Sequence, residues 1–310
     1  MPSLNIAVLG KNEQEREQAA SALAKKGTAD DLGFYHTVFQ GKIVSVVDPK
    51  AYPGKLSSFM QTLSITNQAL VIAPEPSPEL GEIIVALDAL KKHAVTIVTD
   101  MDLSGFLNGT SLERAQLVTN IEEAKTHLFS QETPLREGDA EVLIDHCFEV
   151  KGVGTVALGF VKQGTINVHD KLQAEPIGKT MEIRSIQKND ADAKTAASGD
   201  RVGLSLKGLR SEEVPRGTIF SKTAWNKGVE LECEVTATRF RKEPLKSGVI
   251  HASLGVQFQP VRIECEEIAP GTSGKAILQF EKPFAFNKGE PLILCDLNAK
   301  GLRIVGKTII

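Results

Sequence analysis

Residues able to do chemistry are few and scattered in this chain. The four cysteines, Cys147, Cys233, Cys265 and Cys295, lie far apart and form no C-x-x-C pair, and the six histidines show no zinc-ligand spacing. Asp145-His146-Cys147 has the composition of an activated thiol. On a strand, however, Asp145 and Cys147 share one face while His146 points to the other, so no Cys–His nucleophile is expected there. Gly152-Val153-Gly154 and Gly271-Thr272-Ser273-Gly274 open no helix and read as turns between strands. One segment is laid out to meet a phosphate: the apolar run Leu4–Leu9, then Gly10, then the amphipathic pattern Gln14–Lys26. A phosphate cradle there requires G-x-x-x-x-G-K-[ST]. Its N–H groups surround the phosphates, its Lys meets the β and γ phosphates, and its hydroxyl holds magnesium. The first Gly is present as Gly10, but Glu15, Arg16 and Glu17 stand where the second Gly, the Lys and the hydroxyl belong. The densest cationic run is Arg239-Phe240-Arg241-Lys242 with Lys246. It suits either nucleic-acid phosphates or a solvated strand end with snorkelling stems.

The elements that must position these residues change character near residue 130. Before it, strand candidates (Leu4–Leu9, the Tyr35–Gln40 and Lys42–Val47 hairpin around Gly41, Leu70–Ala73, Val95–Thr99) alternate with helical patterns at Gln14–Lys26, Glu79–Lys92 and Ser111–Phe129. That order predicts an α/β layer with a mostly parallel sheet. After Thr133-Pro134, strand-like runs recur about every 8–12 residues, the spacing of antiparallel barrels or sandwiches. They are Glu141–Val150, Thr155–Val161, Thr165–Val168, Met181–Gln187 and Arg201–Leu206. Beyond a break at Lys222–Gly228 follow Glu230–Thr238, Ser253–Phe258, Val261–Glu264, Ala276–Phe280, Pro291–Asp296 and Arg303–Val305. The expected architecture is α/β plus all-β: one α/β domain over 1–133, a β-barrel over 134–224 and a second β-barrel over 225–310. At 310 residues, 41% hydrophobic and 24% charged, the chain is globular. It has no apolar run of about 20 residues and no basic leader, so a spanning or secreted protein is not expected. Unpaired thiols fit a reducing, cytoplasmic compartment. A net charge of −3 excludes nucleic-acid binding through overall charge and leaves local patches open. Residues 1–130 carry 11 Lys and Arg against 15 Asp and Glu, a net −4, so affinity for a polyanion belongs to the barrels.

Several motifs of the β part carry a resemblance. Phe148-Glu149-Val150-Lys151-Gly152-Val153-Gly154-Thr155-Val156, Arg184-Ser185-Ile186-Gln187, Ser198-Gly199-Asp200-Arg201-Val202-Gly203-Leu204, and Lys207-Gly208-Leu209-Arg210 with Arg216-Gly217 resemble, in order and spacing, the second domain of translational GTPases of the elongation factor Tu family. Gly301-Leu302-Arg303-Ile304-Val305-Gly306 is similar to the close of the third domain. In the first domain Asp31-Leu32-Gly33-Phe34 and Thr99-Asp100-Met101-Asp102 resemble the selenocysteine-specific, SelB-type branch, and Gln187 stands where elongation factor Tu usually has Glu. The resemblance covers the chain and implies a Ras-like α/β domain followed by two barrels. The fourth domain of SelB proteins is expected to be missing.

The departures fall on the chemistry. Besides the phosphate loop, the first switch is reduced to Lys26-Gly27-Thr28-Ala29-Asp30-Asp31, with Ala29 in place of the magnesium-binding Thr. The D-x-P-G-H run reads Asp48-Pro49-Lys50-Ala51-Tyr52; Tyr52, or Lys55 in a shifted alignment, replaces the water-positioning His. Asp100 replaces the Lys that packs on guanine. No residue group for GTP hydrolysis is complete. Gly10, Arg16, Asp48, Thr99 and Asp102 are relic nucleotide-site positions, for Asp48 and Asp102 with plain capping roles as the alternative. No catalytic or metal-binding residue and no cofactor is expected, with GTP and magnesium as the alternative. The resemblance implies that the second domain holds the aminoacyl end of tRNA and that the third meets tRNA phosphates. The RNA-binding candidates are Arg184, Gln187, Lys188 and Arg201, and Arg239, Arg241, Lys242 and Lys246; for Arg201 a structural pairing with Asp200 or a neighbouring strand is the alternative. Three functions follow: a SelB-like factor without GTPase activity that binds tRNA, ribosome or a protein; an atypical GTPase; and a scaffold without RNA contact.

Overall fold

A computed structural model describes residues 3–310. In the α/β unit, strands β1 (Ser3–Gly10), β2 (Lys25–Ala29), β3 (Gly33–Phe39), β4 (Lys42–Asp48), β5 (Gln68–Ile72), β6 (Val95–Val98) and β7 (Gln116–Val118) form one sheet in the order β2-β3-β4-β1-β5-β6-β7. β4, β1, β5, β6 and β7 run parallel, and β3 and β2 complete the sheet antiparallel. Every residue of β1 is buried, as a central parallel strand covered on both faces requires. Leu4, Ile6 and Val8 pack on α1 (Glu13–Leu23) and on α5 (Ile121–Ser130). Ala7 and Leu9 face α2 (Leu56–Ile65) and α3 (Pro78–Ala89). A short α4 spans Ser104–Leu107.

Three expectations about elements are corrected. The pattern Ser111–Phe129 is not one helix. Gln116–Val118 pairs with β6, and α5 starts only after Asn120, whose side chain accepts the Glu123 N–H as an N-cap. The helix expected to reach Lys26 stops at Leu23, because the next residues pair with Tyr35 and His36 as β2. The run Ser253–Phe258 is not one strand but a hairpin turning at Gly255, whose φ of +56° favours glycine.

The two barrels are each six-stranded, antiparallel and closed. The first runs Lys171–Glu175, Ile219–Ser221, Glu141–Val150, Gly154–Gln163, Arg201–Lys207 and Lys179–Lys188, which pairs back to Lys171–Glu175. The second runs Asn226–Ala237, Ser273–Phe286, Gln257–Cys265, Gly248–Leu254, Pro291–Cys295 and Ile304–Ile309, which closes on the first of these. The three units meet in shared apolar contacts. Leu32, Phe34, Val47 and Ile65 of the α/β unit and Leu143, Phe160 and Ile219 of the first barrel join the core of the second. Ile293, Cys295 and Ile304 of the second barrel belong to the α2–α3 layer.

Candidate functional site: the β1–α1 turn and its buried arginine

The β1–α1 turn contains only Lys11 and Asn12 before the helix begins at Glu13. The Asn12 side chain accepts the N–H groups of Gln14 (2.8 Å) and Glu15 (3.4 Å), donors that a phosphate at this helix end would use. Glu13 and Glu15 add negative charge to the same turn.

One turn further, Arg16 is 0% exposed. Its Nε donates to Asp48 Oδ1 at 2.8 Å. Nη1 donates to the carbonyls of Gly10 (2.8 Å) and Lys11 (3.3 Å), and Nη2 to those of Tyr52 (3.0 Å) and Pro49 (3.3 Å). All five guanidinium donors are therefore spent inside the protein. In a phosphate cradle the loop turns N–H groups inward; here it turns carbonyl oxygens inward, around the chain's own cation. Burial pushes the Asp48 carboxyl up and Arg16 pulls it back down; the rise from burial is the larger effect.

The neighbouring motifs are rebuilt in the same sense. Ala29 lies in β2 opposite Gly33, so the shortened switch is part of the sheet. Asp31 beside it pairs with Lys55 (2.9 Å) and with Arg216 of the first barrel (3.2 Å). The Tyr52 ring stacks on Phe59, and its hydroxyl donates to Glu82 at 3.0 Å; burial raises its phenol far above the usual value. Thr99 Oγ1 accepts the Met101 N–H (3.0 Å) and Asp102 Oδ1 the Ser104 N–H (2.9 Å), which starts α4. Asp102 thus holds the turn that leads into α4, and the Ser104 N–H holds its carboxyl below the usual range.

A polar chain runs from this plug to the second barrel. Arg16 holds the Tyr52 carbonyl, Tyr52 holds Glu82, and Glu82 holds Arg303 through Nε (2.9 Å) and Nη2 (2.6 Å). Arg303, from the closing Gly301–Gly306 segment, also donates to the Pro53 carbonyl at 2.8 Å. Sequence reasoning missed Glu82. A single acid in the apolar stripe Leu80, Ile83, Ile84, Leu87 was its signal, since a buried carboxylate needs a partner.

The RNA candidates do not form one surface. Arg201 takes the structural role given as its alternative: its side chain is only 14% exposed, lies 3.6 Å above the Phe34 ring and 5.2 Å from Phe160, and pairs with Asp145 at 3.7 Å. It clamps the α/β unit to the first barrel, and its ion-pair partner lies on another strand of that barrel rather than at Asp200. Lys188 pairs with Asp200 (3.0 Å), Gln187 donates to Asp192 (3.0 Å) and Lys246 pairs with Glu267 (2.7 Å). Arg239 lies over Phe240 and donates to the Gly109 carbonyl of the α/β unit. Arg184, Arg241 and Lys242 make no salt bridge among the described residues. Arg184 is exposed and lines a cavity of about 350 Å³ with Glu149, Thr155, Lys207 and Arg210.

Comparison with known proteins agrees with this fold. Residues 154–221 match the family description of elongation factor Tu domain 2. An uncharacterised protein of Methanocaldococcus jannaschii is 33% identical over 315 residues, covering 99% of both chains. The selenocysteine-specific elongation factor of the same organism is 23% identical over 373 residues, covering 99% of this chain and 79% of its own. The crystal structure of translation elongation factor SelB from Methanococcus maripaludis in complex with the GTP analogue GPPNHP matches with a TM-score of 0.88 at 19% identity, over 100% of this chain and 79% of that one. A Ras-like sheet followed by two closed barrels defines a translation-factor architecture. The chain belongs to the translational GTPase family, in its SelB and elongation factor Tu type.

Proposed function

We propose that this chain is a non-switching member of its family: a binding protein of the translation machinery that neither binds nor hydrolyses GTP. The observation that carries this reading is Arg16. Its guanidinium is buried under the β1–α1 turn with every donor engaged, and the cavity of about 620 Å³ beside that turn is lined by the carboxylates of Glu15, Glu75 and Glu79. A phosphate at the turn would meet Asn12 already on the helix N–H groups and the carboxylates of Glu13 and Glu15. One carboxylate about 4 Å from a phosphate charge costs about 4 kcal/mol at an effective dielectric near 20, about a thousandfold in affinity. A ligand without differential contacts shifts no conformational equilibrium. The domains are held instead by Arg303–Glu82, Arg201–Phe34 and Arg216–Asp31.

Contact with the translation machinery is assigned to the first barrel, at the cavity lined by Arg184. That stretch lines the aminoacyl-tRNA pocket in the family the sequence resembles, and Arg184 keeps its cation exposed. The test is filter binding of total tRNA over a salt series, with and without GTP and magnesium. The expected result is binding indifferent to GTP and weakened at least about fivefold by Arg184→Glu. Absence of binding near 50 mM salt, or binding that GTP strengthens, would overturn the reading.

A further inference from the structure

Three cavities meet at one residue. Phe240 lines spaces of about 260, 270 and 600 Å³ in the cleft between α3, α4 and the second barrel. It is 40% exposed, and Phe106 across the cleft is 38% exposed. Between them the floor is aliphatic: Ile84 and Val85 of α3, and Leu302. A Cβ built on Gly81 or Gly105, which also line the cleft, meets nothing within 4 Å, so both glycines leave open space. Arg239 stacks on Phe240 at 4.7 Å and is tied to Gly109, which fixes the ring at the mouth.

The rim is cationic. Arg241, Lys242 and Lys300 line the largest cavity and Lys307 the smallest, and none of the four is in a salt bridge among the described residues. Of the neighbouring acids, Glu82 is neutralised by Arg303, while Asp88 and Asp296 accept the Ser111 (2.7 Å) and Asn298 (3.0 Å) N–H groups and keep their charge, as does Glu243; with Arg239, five cations face these three carboxylates. An exposed apolar groove with a surplus of unpaired cations selects an occupant with apolar knobs and carboxylates.

We propose that this groove docks an acidic amphipathic segment of a partner protein, with aliphatic or aromatic side chains seated beside Phe240 and carboxylates on Arg241, Lys242 and Lys300. Such a helix-in-groove contact places apolar anchors at i, i+3 or i+4 and i+7. The groove is distinct from the Arg184 cavity, and it gives Arg239, Arg241 and Lys242 to a protein partner rather than to tRNA phosphates, so it does not rest on the tRNA reading at Arg184.

The probe is a synthetic amphipathic helix of about 18 residues, Leu and Phe on one face and Glu on the other, labelled with fluorescein. Its twin carries Lys for every Glu. Fluorescence anisotropy with the full chain should show the acidic peptide binding at least about tenfold tighter than its twin. Filling the groove with Gly81→Phe should weaken it at least about tenfold. Phe240→Ser, an exposed site that keeps the fold, should do the same and provides the reading if Gly81→Phe fails to fold. Arg184→Glu should leave peptide binding unchanged. Equal binding of both peptides, no binding at all, or indifference to both groove substitutions would overturn the proposal. So would displacement of the peptide by tRNA with the same dependence on Phe240, which would make the groove a nucleic-acid surface.

Discussion

The β1–α1 turn and the Arg184 cavity each carry an arginine, Arg16 at a turn that departs from the family's phosphate loop and Arg184 on a stretch that resembles the family's second domain. They end differently. At Arg16 five donors are consumed by Asp48 and four carbonyls, and the residue is fully buried. At Arg184 the guanidinium projects beside a cavity with no salt-bridge partner among the described residues. The difference shows that a site is defined by where its hydrogen bonds go rather than by which residue types survive. Asp48 and Asp102 both keep the family's residue, yet one neutralises an internal arginine and the other holds the turn before α4.

Breaking the plug should have the largest effect. Arg16→Ala strands Asp48 in the interior and is expected to cost about 4 kcal/mol in urea unfolding at pH 7. The double variant Arg16→Leu with Asp48→Leu should lose less, because no charge is left unpaired; an equal or larger loss would show that the arginine contributes packing rather than pairing. Arg303→Ala comes next, at about 2–3 kcal/mol, since it removes a forked partner from the buried Glu82. A cycle with Glu82→Gln should return a coupling of about 1–3 kcal/mol. Arg184→Ala sharpens the other side of the comparison: its stability should stay within about 0.5 kcal/mol of wild type while tRNA binding weakens. Arg201→Ala should destabilise by about 1–2 kcal/mol, through its lost contact with Phe34 and Asp145.

The smallest expected effect is a pH dependence at His36. Burial pushes its imidazole down to about 4, against about 6.5 in an unfolded chain. Between these values the unfolded chain binds a proton that the fold refuses. Stability therefore falls as pH drops from about 6.5 towards 4 and changes no further from this group below that. Partial exposure limits the effect to about 1 kcal/mol. His36→Gln should unfold with that much less loss between pH 7 and 4; equal slopes would show that His36 is solvated.

Much of the fold was legible because barrel strands announce themselves by alternation and turn residues. Glu141–Val150 has the bounds expected of it. The fold class was right for the same reason. The misreadings lie where local pattern and tertiary pairing disagree: Gln116–Val118 continues a helical pattern but is claimed by the edge of the sheet, and Lys25–Ala29 by β3. At the site, the loss of phosphate-binding residue types was visible in Glu15, Arg16 and Glu17. The inward plug was not, because it depends on carbonyls of Gly10, Pro49 and Tyr52, and carbonyls have no residue-type signature. The role of Arg201 was hidden likewise, since only the fold brings Phe34 and Phe160 to its two sides.

The most direct test is calorimetric titration of the full chain with GTP, and then GDP, in magnesium buffer. An occupied plug predicts no saturable binding tighter than about 10 µM, and no gain when Glu15→Gly, Arg16→Lys and Glu17→Thr are introduced together beyond a slight one. A dissociation constant for the wild-type chain below about 10 µM, roughly −7 kcal/mol, would show that the turn still takes a nucleotide despite the buried Arg16 and would contradict the account.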